Sequence, residues 1–532
     1  MTNRHAGKTV MVGLDGVDLT LVERWAQEGH LPCLQGFLDS SHLIETSCRS
    51  LPGSEWANFA TGVSPSKHGY VHETQIETGS YENVAIHSDH VAAEPFYKLL
   101  SEAGHRCAIL DVPGDHPLPS INGLQVIDWG TEFQLWKFDT QPSEFRQELL
   151  EHVGKHPFTN YPGTQTNDQS LRELKVALER GIRLKTDLAH YVMRKSDWDF
   201  FFVSLCEGHK AGHFFWKFWD EQHPDHDSSD PHLRSALLDI YKAMDRGLQS
   251  IVDALDPLDN VILLADRGMR ANHRGDHLLN AVLQRLGLLT DKKAKTGARS
   301  SEASETLKGS AVWRSVPLRR ELKRFVPLRL RAFARKLLGS PQLDWEGTQA
   351  FMLPNVGNSY IRINLAGREP RGTVQPGEQY DKLLAFIEAE MYALINPATG
   401  RPAVEDVSFP RRLYPGPLAD DLPDVAVVWR AEAPIRELTS PAVGLVRGDF
   451  PERRSGNHTT TGFVLARGPA FVPGASRRAG DLRQLAPTVL KIHGHEVPDS
   501  YEMASLGAIM AGAATAQTRT PRQAEHRPQV PV

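Results

Sequence analysis

The chain has 532 residues, 40% of them hydrophobic and 23% charged, with a formal net charge of -5. That length supports one big domain with insertions or two to four domains, and that charge gives no general case for nucleic-acid binding. The four cysteines, Cys33, Cys48, Cys107 and Cys206, are too few and too scattered for a disulfide framework or a cysteine-type zinc site.

The polar start, Met1 to Lys8, runs straight into a strand and leaves no room for a signal peptide. No apolar run approaches the roughly 20 residues that span a bilayer, so the expected compartment is the cytoplasm. Thr9–Leu14 is a buried-type strand, Leu19–Glu28 a helix, and Pro32–Leu38 its continuation after a turn. Cys107–Leu110 and Phe200–Leu205 are short apolar strands. Leu233–Leu255 has helical periodicity, the strand Val261–Leu264 follows it, and Leu278–Leu288 is a short helix. Strand and helix thus alternate, the pattern of an α/β fold with a parallel sheet covered by helices.

Asp291–Ser310 is rich in Lys, Ser, Ala and Gly without periodicity and reads as a flexible insertion. Pro317–Leu338 is strongly basic, with apolar residues at helical spacing. It reads as a cap helix with its basic face in water, the alternative being a membrane-surface or partner-binding helix. Order returns with the strand Ser359–Asn364, the helix Tyr380–Ile395 and the strands Val425–Trp429 and Phe463–Ala466. The expected organisation is a core in two parts, 1–290 and 341–510, split by an insertion at 291–340 and followed by a disordered tail at 511–532.

Four hydrophobic runs lead to candidate metal ligands. Asp15 ends the first strand and precedes Gly16, and Asp266 ends Val261–Ala265. A carboxylate at a strand's C-terminal end sits where open α/β sheets place their active sites, although an Asp there also caps helices. His209 and His213 follow Phe200–Leu205 with Glu207 upstream; a four-residue spacing puts both rings on one face of a helix, as zinc sites use. His458 follows Gly456-Asn457 and completes the set. His273 and His277 repeat the spacing but read as a solvated loop. The aromatic run Phe214–Trp219 can wall a pocket or pack in a core, and packing is the plainer reading.

Ser50-Leu51-Pro52-Gly53-Ser54-Glu55-Trp56 reads as a turn and a helix start near Pro52, and Gly62 as the helix stop. A serine at a helix N-terminus lies near unsatisfied N–H groups and the positive dipole end, so Ser50 and Ser54 are candidate nucleophiles. A plain N-cap is the structural alternative.

Asp15-Gly16, Ser-x-Pro followed by Ala60-Thr61-Gly62-Val63-Ser64-Pro65-x-x-His68-Gly69, the strand leading to Gly212-His213, and Asp266-x-Gly268-Met269 together resemble the alkaline phosphatase superfamily. The type I phosphodiesterase/nucleotide pyrophosphatase branch is the nearest, in a bacterial-type form. Gly367-Arg368-Glu369-Pro370 and Leu422-Pro423-Asp424 add to the likeness. The resemblance implies a three-layer α/β/α fold with a mostly parallel sheet and a helical cap insertion. It also implies a metal-dependent hydrolase of phosphoric esters, acting by in-line attack of a Ser through a covalent phospho-Ser.

Carried over residue by residue, it puts one divalent ion, zinc by expectation, on His209, His213 and His458. A second ion would lie between Asp15, the nucleophile (Ser50 or Ser54) and Asp266. The chain departs from the family at three points. His209 stands where an Asp is usual, Arg267 stands where a His ligand is usual, and the serines are out of register with the Thr-Gly that follows. Arg267 cannot ligate a metal, so the second site is incomplete and a guanidinium there replaces the cation or marks its loss. The expected substrate is a small phosphate ester. The alternatives are a relative that transfers phosphoryl or sulfuryl groups to another acceptor, and a weakly catalytic binding protein.

Overall fold

The structure is a computed structural model that describes residues 8–48, 51–72, 74–86, 91–131, 137–160, 167–291, 343–353, 359–450 and 454–511. Ser50, the basic stretch 317–338 and the tail beyond Ala511 lie outside the described residues, as does most of 291–310.

The apolar runs of the first half become strands of one sheet. Together with others that no apolar run marks, the sheet's strands are in chain order β1 (Thr9–Leu14), β2 (His42–Ser47), β3 (Cys107–Leu110), β4 (Gly123–Ile127), β5 (Asp139–Gln141), β6 (Phe200–Leu205) and β7 (Asn260–Ala265). After a short ladder between β8 (Met269–Ala271) and β9 (Gly456–His458), β10 (Thr461–Arg467) and β11 (Ser476–Gly480) complete the sheet. The nine strands run in the order β11-β2-β10-β7-β1-β6-β3-β4-β5. The five central strands from β7 to β4 are parallel, while β10 and β5 are antiparallel to their neighbours.

Side-chain alternation divides the strands between two cores. Val10, Val12 and Leu14 face a cluster with Trp25, Phe201 and Leu248. Met11, Phe202 and Ile262 face a second cluster with Phe59, Phe96 and Val489. Burial on both faces explains why these strands read as continuous hydrophobic runs. Helices α1 (Leu19–Gln27), α2 (Pro32–Ser40), α4 (Asp168–Lys195), α5 (Glu207–Trp219) and α6 (Ala236–Asp253) cover the first face, and α3 (Glu55–Thr61) and α7 (Leu485–Ile492) contribute to the second. The result is the three-layer α/β/α architecture. Among the described residues no helix is long and apolar enough to cross a membrane.

Element bounds shift in several places, as where the helix expected over Leu278–Leu288 spans Leu279–Arg285; two shifts have a visible cause. The periodic stretch Leu233–Leu255 breaks at Ser235, because Asp230 caps a separate short turn, Pro231–Arg234, before α6 begins. The helix over Tyr380–Ile395 ends at Tyr392, and Ile395 pairs in a strand instead.

A second compact unit combines Thr74–Ala85 with His273–Glu452. Among its described residues are two four-stranded antiparallel sheets and a hydrophobic core of its own. Strands from this stretch thus pair among themselves instead of extending the large sheet. Gly367–Pro370 and Leu422–Asp424 meet in this unit as a buried ion-pair network. Arg368 holds Asp424 through both guanidinium ends, at 2.9 and 2.6 Å, and Tyr380 donates to the same carboxylate at 2.7 Å. His273 and His277 also belong here and are not in a solvated loop. His273 is 8% exposed with Nδ1 against Ala431 O, and His277 Nε2 meets Gly448 O, so backbone carbonyls hold both rings.

Candidate metal centre and nucleophile segment

Strand register brings the ligand-bearing loops to one level. β1 is flanked by β6 and β7 with Gly13 opposite Ser204 and Leu264, so Asp15, Cys206-Glu207 and Asp266 leave the sheet at the same edge. Gly16 has φ +67°, and a Cβ there would lie 2.6 Å from His209 Cα. Only glycine permits both the left-handed turn and the close passage of α5. On the far side of α5, β9 passes so closely that a Cβ on Gly456 would sit 2.1 Å from Gly212 O. These two contacts bring residues from β1, α5 and β9 around one point.

Three imidazoles converge there. His209 Nε2 lies 3.1 Å from His213 Nε2 and 2.9 Å from His458 Nε2. The ligand atoms of all three are within 4.8 Å of one another. Outer partners fix the tautomers of His209 and His213. His209 Nδ1 is 2.9 Å from Asp15 Oδ2; a carboxylate only accepts, so Nδ1 carries the proton and Nε2 presents a lone pair. His213 Nδ1 is 2.9 Å from the Gly456 carbonyl, which likewise leaves its Nε2 as a lone pair. Arg454 Nη1 approaches that Nε2 at 3.3 Å. Two lone pairs at hydrogen-bond distance repel unless a proton or a cation lies between them. Burial, then the charge of Arg267, holds the His458 ring well below the usual imidazole range, so it too stays neutral. Three neutral nitrogen donors with carboxylate and carbonyl outer partners suit a zinc-type ion.

The opposite corner is acidic. Asp15, Asp266 and Glu55 are buried at 3%, 2% and 1% exposure. Gly16 N donates to Asp266 Oδ1 at 3.2 Å, Trp56 Nε1 to Asp15 Oδ1 at 3.4 Å, and Gly53 N to both oxygens of Glu55 at 2.9 Å. Burial, reinforced by the Asp15 charge, pushes the Asp266 carboxyl up to about 8. Arg267 lies among them, its Nε 3.5 Å from Asp266 Oδ2 and 3.9 Å from Glu55 Oε2. Burial opposes its charge, but Glu55 and Asp266 more than offset this and hold the guanidinium protonated. Its Nε has no hydrogen-bond partner among the described residues.

The nucleophile segment forms a turn and then α3, ended by Gly62 at φ +67°. Ser54 is fully buried and committed locally: its Oγ donates to Leu51 O at 3.3 Å and accepts from Asn58 Nδ2 at 3.1 Å. Asn58 Oδ1 in turn meets His68 Nε2 at 2.8 Å, and Tyr70 N donates to His68 Nδ1 at 3.0 Å. His68 therefore carries its proton on Nε2 and ends a chain of bonds running His68–Asn58–Ser54–Leu51. Burial pushes its basicity down to about 3.

The expected site residues thus divide in three. His209, His213 and His458 meet at one point; Asp15, Asp266 and Arg267 adjoin them; Ser54 is turned into its own backbone. Asp15 Oδ2 stands on His209 as an outer partner. Glu55, Trp56, Arg454 and the Asn58–His68 pair are additions that sequence reasoning missed. An acid directly after Ser54 in an otherwise apolar helix start was the available signal for Glu55; Arg454 had none. Phe215 and Phe218 are fully buried in the core, as the packing reading of the aromatic run expects.

A family model described as type I phosphodiesterase / nucleotide pyrophosphatase matches residues 9–326. Among solved structures, the chain is similar to murine ectonucleotide pyrophosphatase / phosphodiesterase 5, with 13% identity over 95% of this chain and 100% of that one and a TM-score of 0.45. It is similar to an inactive form of that protein in complex with AMP at 12% identity, the same coverage and the same TM-score of 0.45. Phosphonoacetate hydrolase from Sinorhizobium meliloti 1021, in complex with phosphonoformate, gives 14% identity over 86% of this chain and 90% of that one, with a TM-score of 0.45. No curated protein sequence matches the chain.

Proposed function

The chain belongs to the type I phosphodiesterase / nucleotide pyrophosphatase family, hydrolases of phosphoric ester bonds, and on that premise we propose that it hydrolyses a small phosphodiester with a divalent metal, zinc by preference, held by His209, His213 and His458. The observation that carries this reading is the pair of facing Nε2 lone pairs on His209 and His213, with His458 Nε2 2.9 Å from the first. A divalent ion bound there supplies Lewis-acid polarisation of a phosphoryl oxygen.

The chain's own residues do the rest. Asp15 orients His209 through Nδ1, and the Gly456 carbonyl orients His213. Ser50 is the proposed nucleophile. It keeps the Ser-x-Pro order, and the Ser54 hydroxyl is spent on Leu51 O. Ser50 Oγ attacks phosphorus in line, the leaving alcohol departs as the phospho-Ser ester forms, and water cleaves that ester to free phosphomonoester and serine. Arg267 offers a fixed positive charge beside the reacting phosphoryl group.

Metal analysis of the purified protein, paired with turnover of an aryl phosphodiester, tests the reading. Bound metal and turnover that both vanish in H213A are expected; turnover that survives complete metal removal would overturn it. S50A should lose turnover while keeping its metal. Products captured by an added alcohol in place of water would favour transfer over hydrolysis.

A further inference from the structure

We propose that Arg267 permanently fills the corner of this site that a second divalent ion would need, so that the protein works with one metal ion and one fixed guanidinium. The inference rests on the reading that the histidine triad holds that one ion.

The donors at this corner do not fit a second ion. Asp15 and Asp266 are two oxygen ligands, the nucleophile's hydroxyl would be a third, and beside them stands Arg267, which has no lone pair to give and keeps its proton at any accessible pH. The oxygens are already engaged. Asp15 Oδ2 faces His209 Nδ1, Asp15 Oδ1 accepts from Trp56 Nε1, and Asp266 Oδ1 accepts from Gly16 N. The remaining one, Asp266 Oδ2, has the Arg267 Nε 3.5 Å away. A metal bound to that oxygen at about 2.0–2.2 Å would sit against a guanidinium.

Glu55 argues that the guanidinium is built in and is no scar of a lost ligand. It is 1% exposed, anchored by Gly53 N, and its Oε2 stands 3.9 Å from Arg267 Nε. An eroded site has no need of a buried carboxylate to balance the intruding cation.

The experiment counts metal. Wild-type protein and R267H are loaded with excess zinc or manganese, freed of unbound ion and analysed for metal per chain. One equivalent in the wild type and two in R267H are expected. An R267H count equal to wild type overturns the inference, because Arg267 then does not exclude the ion. Two equivalents in wild type also overturn it, and that measurement decides alone if R267H does not fold. Failure of the underlying reading looks different. There the wild type takes no ion, or H213A keeps the wild-type count, while the difference between R267H and wild type still tests Arg267.

Discussion

The histidine half of the site gathers three neutral ring nitrogens and contributes no charge, whereas the acidic half gathers three buried carboxylates and already contains its own cation. Both are buried, and both stand at the same edge of one sheet, yet their electrostatic demands differ. Facing lone pairs need something positive between them. Carboxylates that hold a guanidinium have it. Ligand type already favours the histidine half, since Arg267 stands among the acids, and hydrogen-bond accounting gives the same order.

The contrast breaks most visibly if the histidines are not ligands. Replacing His209 or His213 with Ala should lower metal affinity and turnover by more than about a hundred-fold, beyond the loss typical of outer partners. Chelator competition reads the first and steady-state kinetics the second. Asp15→Asn probes the link between the halves. It keeps an acceptor for His209 but removes the charge, and a loss of about 10–100-fold in metal affinity is expected. A loss as large as that of H209A would instead make Asp15 a direct ligand.

Ser54→Ala should retain turnover and cost stability, about 1 kcal/mol in chemical denaturation, because half-buried Asn58 loses its acceptor. Abolished turnover in a folded S54A protein would restore Ser54 as nucleophile. A further test concerns pH. Burial holds His68 at about 3, against the ordinary 6.5, so the ring takes up a proton only on unfolding. Its contribution is complete above about 6.5 and is lost as pH falls toward 3, at no more than about 1.4 kcal/mol per pH unit. His68→Asn should flatten the acid limb of a stability-versus-pH curve; an unchanged limb would assign it to other groups.

Much of the large sheet was legible because its central strands are buried on both faces and stand out as apolar runs between turn signals. His42–Ser47 and Ser476–Gly480 were not: the first mixes His42, Glu45, Thr46 and Ser47 into its run, the second is an edge strand with no buried residue, and only ladder partners make them strands. Helix Asp168–Lys195 escaped notice because its buried Leu171, Leu174, Leu178 and Ile182 are spread among charged neighbours. The second unit was invisible as a unit, because a strand such as Val425–Trp429 reads alike whichever sheet it joins. In the site, residues at strand ends could be named from sequence. Arg454 could not, because its importance lies in meeting His213 far along the chain, and Glu55 left only the faint signal of an acid beside Ser54.

The tight crossing of Gly456 over the Gly212 carbonyl carries a consequence for how the protein reaches its native state. His209 and His458 are 249 positions apart, so the triad can close only once β9 has docked against α5. Contacts of such long sequence separation form late and slowly. During refolding, tight metal capture should therefore trail the recovery of helical signal. The bound ion would then report that the chain has finished folding, and a chain cut before β9 would never earn it.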